Sequence, residues 1–341
     1  MLTWSEWSIK LQKKTETFLT WRKRRHLVKK EKQKRKNPVL DWADAIISAV
    51  FIVLLINQFL LQAYMIPSQS MVPTLKISDR IFVNKLIYGP ELLPGLFKIN
   101  SPREPRRGEV IIFENPSYIP MGPVKDILQR VIYMITLSLV DIDRDEYGRP
   151  KHHFLIKRAV ATAGDRIRMN KGEVEIMLPG QNYWHTETEI KELYNLQYTR
   201  RRIFSPEQYV YFEKAGEALA LLDAGLTLAN DQKNAVNRYF YITNSTAGPS
   251  SWSQKELIDN ASVQESRYAA LYALKPYSRL FREQWSILER GWYIPEGRIF
   301  PMGDNRDDSR DARFFGPVRL EKVLGRALFK YWPLSRLGII R

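Results

Sequence analysis

The longest apolar run in the chain is Ala45 to Leu61, AIISAVFIVLLINQFLL, and its apolar character continues to Ile66. Asn57 and Gln58 are the only strongly polar interruptions before Leu61. At about 1.5 Å per residue, the run spans roughly 25–33 Å, close to the hydrocarbon thickness of a bilayer. It predicts one transmembrane helix within residues 41–66. A buried core helix is the alternative reading of the same pattern. A cleaved leader fits poorly, because the polar segment ahead of the run is about 40 residues long and Leu61-Gln62-Ala63 lacks a small residue two places before the alanine.

Beyond Ile66 the pattern changes to short apolar runs bounded by Gly, Pro, Asn and Asp. Arg80–Asn84, Glu109–Phe113, Phe154–Val160, Gly172–Met177 and the stretch Arg319–Trp332 all read as strands. Alternating βαβ units and internal repeats are not visible, so the expected class is mainly β. Residues Ile127–Val140 are apolar apart from Gln129, Arg130, Thr136 and Ser138. They are too few to span a bilayer and read as a core or interfacial helix. Residues 178–290 are mixed and aromatic-rich, with a helix-like stretch near Glu213–Leu228. The predicted organisation is a basic tail over 1–40, an anchor over 41–66, a β-rich core over 67–177 and 291–341, and an inserted α+β cap over 178–290.

Charge gives the anchor a direction. Of the formal net charge of +16, residues 1–40 carry +10, from 13 Lys/Arg against 3 Glu. Arg25, Lys29, Lys30, Lys32, Lys34, Arg35 and Lys36 precede the apolar run closely, whereas only Lys76, Arg80 and Lys85 follow it within twenty residues. The positive-inside rule places the N-terminus in the cytoplasm and residues 67–341 on the outer side. The tail also suits attraction to anionic lipid, and Trp4, Trp7 and Trp21 suit an interfacial helix. Nothing beyond charge supports a nucleic-acid partner. The chain has no cysteine and only four histidines, His26, His152, His153 and His185. Disulfides and thiol chemistry are excluded, and a His-Glu-x-x-His zinc site is absent.

Three segments could carry chemistry. In Ile66-Pro-Ser-Gln-Ser-Met-Val-Pro-Thr-Leu75 the two prolines disfavour regular structure, so Ser68 and Ser70 fall on a loop close to the end of the apolar run. Two such serines are ordinarily turn residues. If His153–Val160 is a strand, Leu155, Lys157 and Ala159 share a face. An apolar setting lowers a lysine's pKa and suits it to act as a general base. On this segment alone, a lysine reaching out to water is the more ordinary reading. The segment Met302-Gly-Asp-Asn-Arg-Asp-Asp-Ser-Arg-Asp-Ala-Arg-Phe-Phe-Gly316 packs four Asp and three Arg around Ser309. It reads equally as a solvated acidic loop, but lacks the Gly and Glu of a calcium loop.

Taken in order, the anchor, Pro-Ser-Gln-Ser-Met-x-Pro-Thr-Leu, Arg-Gly-Glu-Val-Ile-Ile-Phe, Ile-Lys-Arg-Ala-Val and Gly-Asp-Asn-Arg-x-x-Ser-x-Asp-x-Arg closely resemble the type I signal peptidases, Ser-Lys dyad serine proteases. The resemblance covers about 41–116, 153–170 and 298–330. It implies a signal-peptidase-like β-rich catalytic core, no cofactor and no metal. The implied substrates are preproteins with N-terminal signal peptides, cut at the bilayer. It implies Ser70 as nucleophile and Lys157 as base, with the Ser68 hydroxyl joining the Ser70 N–H in the oxyanion hole. Ser309 would orient the lysine amine, Asp304, Asp311, Arg158 and Arg313 would form a supporting charge network, and Met71 would line the substrate pocket. The implied location is the plasma (inner) membrane, single-pass, with the catalytic domain on the periplasmic or extracellular side.

Three positions depart from the family, Ala161, Ala163 and Ala312. Ala161-Thr-Ala-Gly-Asp165 stands where Gly-x-Pro-Gly-Asp is usual, and Ala312 replaces a common serine. Related Ser-Lys proteases remain as rival readings. A self-cleaving repressor lacks this anchor, whereas a mitochondrial inner-membrane peptidase shares the chemistry. A catalytically dead scaffold is disfavoured by the presence of Ser70, Lys157, Ser309 and Asp311 together.

Overall fold

The computed structural model describes residues 4–34, 38–93, 97–99, 103–118, 122, 125–129, 132, 136, 153–170, 172–245 and 262–341. The chain divides into two compact units, Met1–Leu55 and Ile56–Arg341. The first holds helix α1 (Trp4–Lys34) and most of α2 (Pro38–Phe59). Most residues of helix α1 are Lys, Arg, Gln, Glu or Leu, all good helix formers, with no Gly or Pro inside it. Pro38 opens α2, where a missing N–H costs nothing. Within α2, Asp41–Phe59 is long and apolar enough to cross a membrane. The helix starts before the apolar run that predicts it and ends at Phe59, short of that run's end. At Leu61 the chain becomes strand β1 (Leu61–Met65), so residues 61–65 belong to the sheet and not to the helix.

The second unit contains an eight-stranded antiparallel sheet. Strands β1, β2 (Arg80–Asn84), β5 (Val110–Glu114), β6 (Phe154–Ala161), β11 (Arg298–Met302), β12 (Val318–Arg319), β13 (Val323–Trp332) and β14 (Gly338–Ile339) form it. A separate hairpin pairs β3 (Glu91–Leu93) with β4 (Phe97–Lys98). The order is β1-β2-β13-β5-β6-β11-β12, with β14 on β13. Along β5, Val110 and Ile112 pack into one core cluster with Tyr64, Met71, Leu75 and Ile81. Ile111 and Phe113 pack into another with Tyr88, Ala159 and Val323. Both faces of the central strands are thus covered, which is why Glu109–Phe113 reads as a continuous apolar run and not an alternating one.

A smaller sheet, in the order β10-β7-β8-β9, joins β7 (Arg166–Asn170), β8 (Glu173–Met177), β9 (His185–Thr186) and β10 (Trp292–Tyr293). It straddles both expected boundaries of the cap. Between its strands lie α3 (Glu187–Leu193), α4 (Pro206–Asp223), α5 (Asn230–Ser245), α6 (Gln264–Leu274) and α7 (Arg279–Arg290). The described part of 178–290 is therefore mostly helical, and it has a core of its own around Phe204, Tyr209, Phe212, Tyr239 and Val263. The helix expected near Glu213–Leu228 begins at Pro206 behind a Ser205–Gln208 capping box and ends before Gly225, whose φ of 78° suits glycine. Most of the Ile127–Val140 run lies outside the described residues, of which 125–129 are helical.

Candidate active site

Strand β6 is held by β5 on one side and β11 on the other, with Lys157 opposite Ile111 and Arg158 opposite both Val110 and Met302. The chain leaving β11 turns at once through Gly303 into the acidic loop, so the loop sits beside Lys157. The Ser68–Leu75 segment reaches the same place from β1. Its carbonyls at Gln69 and Ser70 accept bonds from Asn305 Nδ2 (3.2 Å) and Asn305 N (3.0 Å).

Lys157 Nζ lies 2.6 Å from Ser70 Oγ, and Ser68 Oγ lies 3.2 Å from the same oxygen. Lys157 is buried. Burial disfavours its ammonium and lowers its pKa to about 8, although Asp311, Asp304 and Asp308 pull it upward; Arg313 pushes it down. An amine of that pKa next to a serine hydroxyl can remove the hydroxyl proton in mild alkali.

Arg158, Asp304, Arg313 and Asp311 form two ion pairs. Arg158 forks Asp304, Nε to Oδ1 at 2.7 Å and Nη2 to Oδ2 at 2.6 Å, and both side chains are fully buried. Thr74 Oγ1 donates to the same carboxylate at 2.5 Å, tying the serine segment to it. Arg313 forks Asp311 at 2.9 Å through Nε and Nη2, and Asp311 Oδ2 accepts Gly303 N–H at 2.9 Å. Burial works against an ionised Asp311, but the Arg313 guanidinium and that N–H outweigh it and hold the carboxyl below its ordinary range. Asp311 also caps the short helix α8 (Ala312–Phe315), in which Ala312 is fully buried.

Two expectations meet a different arrangement. Ser309 Oγ is buried and makes no hydrogen bond among the described residues, so the expected bond from Ser309 to the lysine amine is not formed. Ser309 instead packs on Gly303. Met71 is 1% exposed and belongs to the core around Tyr64 and Leu75, and not to an open pocket wall.

The turn with the unusual alanines is intact. Ala161 is buried at the end of β6, Gly164 takes φ 88°, and Asp165 Oδ2 accepts Thr162 N at 2.6 Å and Arg107 Nη2 at 2.7 Å. The carboxylate supplies the turn's restraint where proline is absent.

Pattern reading missed several groups. Thr74, Asn305, Arg306 and Asp307 lie inside the quoted motifs, yet nothing in their spacing gave them partners. Glu187, Tyr198 and Tyr209 lie in the stretch without a motif. The Thr186–Glu189 capping box marks the start of α3, but not that Glu187 beside it is buried.

The family described as signal peptidase, peptidase S26, matches residues 39–332. The chain is also similar to signal peptidase I of Buchnera aphidicola from Acyrthosiphon pisum, at 26% identity over 90% of this chain and 79% of that one. It is 25% identical to signal peptidase I of Haemophilus influenzae over 90% of this chain and 74% of the other. With signal peptidase I of Aquifex aeolicus it shares 27% identity over 83% of this chain and 80% of that one.

Proposed function

The chain belongs to the signal peptidase family, peptidase S26, a family of peptidases that remove signal peptides, and from that premise we propose that it is a membrane-anchored endopeptidase working through a Ser70–Lys157 dyad. The contact of 2.6 Å between Lys157 Nζ and Ser70 Oγ carries this reading.

In the first half-reaction, neutral Lys157 takes the Ser70 hydroxyl proton as Oγ attacks the scissile carbonyl carbon. The carbonyl oxygen becomes an oxyanion, for which the Ser70 backbone N–H and the Ser68 hydroxyl are the donors. The tetrahedral intermediate collapses, Lys157 passes its proton to the leaving amine, and the signal peptide remains as an ester on Ser70. In the second half-reaction, water attacks that ester with Lys157 again as base, releasing the signal peptide's carboxylate and restoring the serine. Asp304, Asp311, Arg158 and Arg313 hold the surroundings of the amine and touch no reacting atom. The burial of Lys157 supports its role, since a solvated lysine near pH 7 holds its proton.

The helix Asp41–Phe59 supports membrane association. We take it to span once, with the basic tail in the cytoplasm and residues 67–341 outside, on the charge asymmetry of its flanks. Ser70 follows the end of that helix by eleven residues. The implied substrates are preproteins whose apolar leader lies in the same bilayer, which raises the local concentration of the cleavage site.

The test is cleavage of a preprotein by the full chain in detergent, beside Ser70→Ala and Lys157→Ala. Cleavage by the parent and by neither variant is expected. Cleavage that survives in both variants would remove the dyad. For orientation, protease added outside intact cells should digest residues 67–341 and spare the tail; the reverse pattern would invert the topology.

A further inference from the structure

The insertion touches the catalytic loop through buried charge. Glu187, in the first turn of α3, is fully buried. Its carboxylate accepts both terminal nitrogens of Arg306, at 2.6 and 2.5 Å. Arg306 Nε donates to the Gly303 carbonyl at 3.0 Å. All three guanidinium nitrogens are thus directed, two at the insertion and one at the turn that holds Ser70 and Asp311. The same carboxylate accepts Tyr198 OH at 2.6 Å and Arg200 Nη1 at 2.9 Å. The ring of Tyr198 lies 4.2 Å from the Arg158 guanidinium carbon, one residue from Lys157. A backbone bridge runs alongside: Arg201 N donates to Asp304 O at 2.8 Å, and Arg306 N to Arg201 O at 2.9 Å.

We propose that Glu187 is a positioning residue: through Arg306 it fixes the loop 303–311, through Tyr198 it fixes Arg158 on β6, and so it sets the Ser70–Lys157 geometry from within the helical insertion. The proposal rests on the dyad reading above. Its physical basis is direction and not strength. A buried ion pair contributes little net stability compared with apolar side chains of the same volume, because desolvation offsets the attraction. A forked guanidinium with its third nitrogen also bonded, however, admits one orientation only. Burial opposes an ionised Glu187, yet Arg306 and its hydrogen bonds hold the pKa down at about 2, so the fork stays charged across the working pH range. A displacement of about 1 Å at reacting atoms costs about 10²-fold in rate. Both ends of the Ser70–Lys157 contact are reached from this one carboxylate.

The experiment measures kcat and KM for preprotein cleavage, and the rate at which a serine-directed acylating probe modifies Ser70. It compares the full-length parent, Ser70→Ala, Glu187→Gln, and the double variant Glu187→Met with Arg306→Leu. For Glu187→Gln, kcat per folded molecule and the acylation rate should fall together by about 10- to 100-fold, with KM within about twofold. The double variant should be more stable than Glu187→Gln, since it leaves no buried charge unpaired and only the Tyr198 hydroxyl loses its acceptor, without recovering kcat. Parental kcat in Glu187→Gln, or kcat restored along with stability in the double variant, would overturn the proposal. So would failure of both variants to fold, which would leave the cluster a purely structural role. Failure of the dyad reading is separate: it appears as cleavage by Ser70→Ala whatever Glu187 does.

Discussion

Gly303 and Ser309 are in direct contact: a Cβ added to Gly303 would stand 2.2 Å from Ser309 Oγ and 2.5 Å from the Ser70 carbonyl oxygen. Ser309 Oγ is a side-chain atom and could rotate, but the Ser70 carbonyl is backbone. Gly303→Ala therefore has to displace the serine segment or the loop. A drop in kcat of about 10²-fold is expected, with near-UV circular dichroism close to the parent's. An alanine variant with parental kcat would show that the loop yields without disturbing Ser70.

On the proposed dyad, Lys157 acts as base only when its amine is neutral, so kcat/KM should rise with pH through an apparent pKa near 8 and then level off. Asp308 is one of three carboxylates that favour the ammonium. Asp308→Asn removes that attraction, so the rising limb should move to lower pH. A limb that stays in place or moves to higher pH would show that Asp308 does not act on the amine.

Stability should carry the same signature with its own sign. The folded pKa of about 8 lies below the ordinary value of 10.5, so between these values the unfolded chain binds a proton that the folded chain has released. Stability then rises with pH across that window. Below pH 8 the cost of burying Lys157 is fully present, on the order of 3 kcal/mol. Lys157→Met should be more stable than the parent at pH 7 in urea unfolding, and the gap should close as pH rises from 8 towards 10.5. A gap independent of pH would place the effect in packing.

Asp165 restrains the turn after β6 through Thr162 N and the buried Arg107. Asp165→Ala leaves the Arg107 guanidinium buried without its carboxylate, and a loss of about 3–5 kcal/mol is expected. A loss below about 1 kcal/mol, read from the urea midpoint at unchanged slope, would show that the alanine-containing turn holds by itself.

Much of the site was legible before any coordinates. The serine segment between two prolines, the lysine on an apolar strand and the Asp/Arg loop all lie in short windows where residue type and spacing carry the signal. The structure places Ser68, Ser70, Lys157, Arg158, Asp304, Asp311 and Arg313 together. The strands were readable because β2, β5, β6 and β8 are short apolar runs ended by Gly, Asn or Asp. The apolar run through Ile66 was less informative about its own end. Leu61–Met65 prolongs that run because the strand pairs with β2 and buries Ala63 and Tyr64, while its one side-chain amide, Gln62, is buried against Lys85 Nζ and Tyr64 OH.

The sequence by itself determined most strands of the large sheet, the basic charge of the tail and the residue types near the site, because periodicity, turn residues and local charge act over a few positions. Only the tertiary structure decided which groups meet. Lys157 reaches Ser70 across 87 residues, Glu187 reaches Arg306 across 119, and Ser309 packs on Gly303 without bonding to the amine. Those contacts follow from the order β5-β6-β11 and from the docking of the insertion, and each depends on burial, which draws on the whole chain at once.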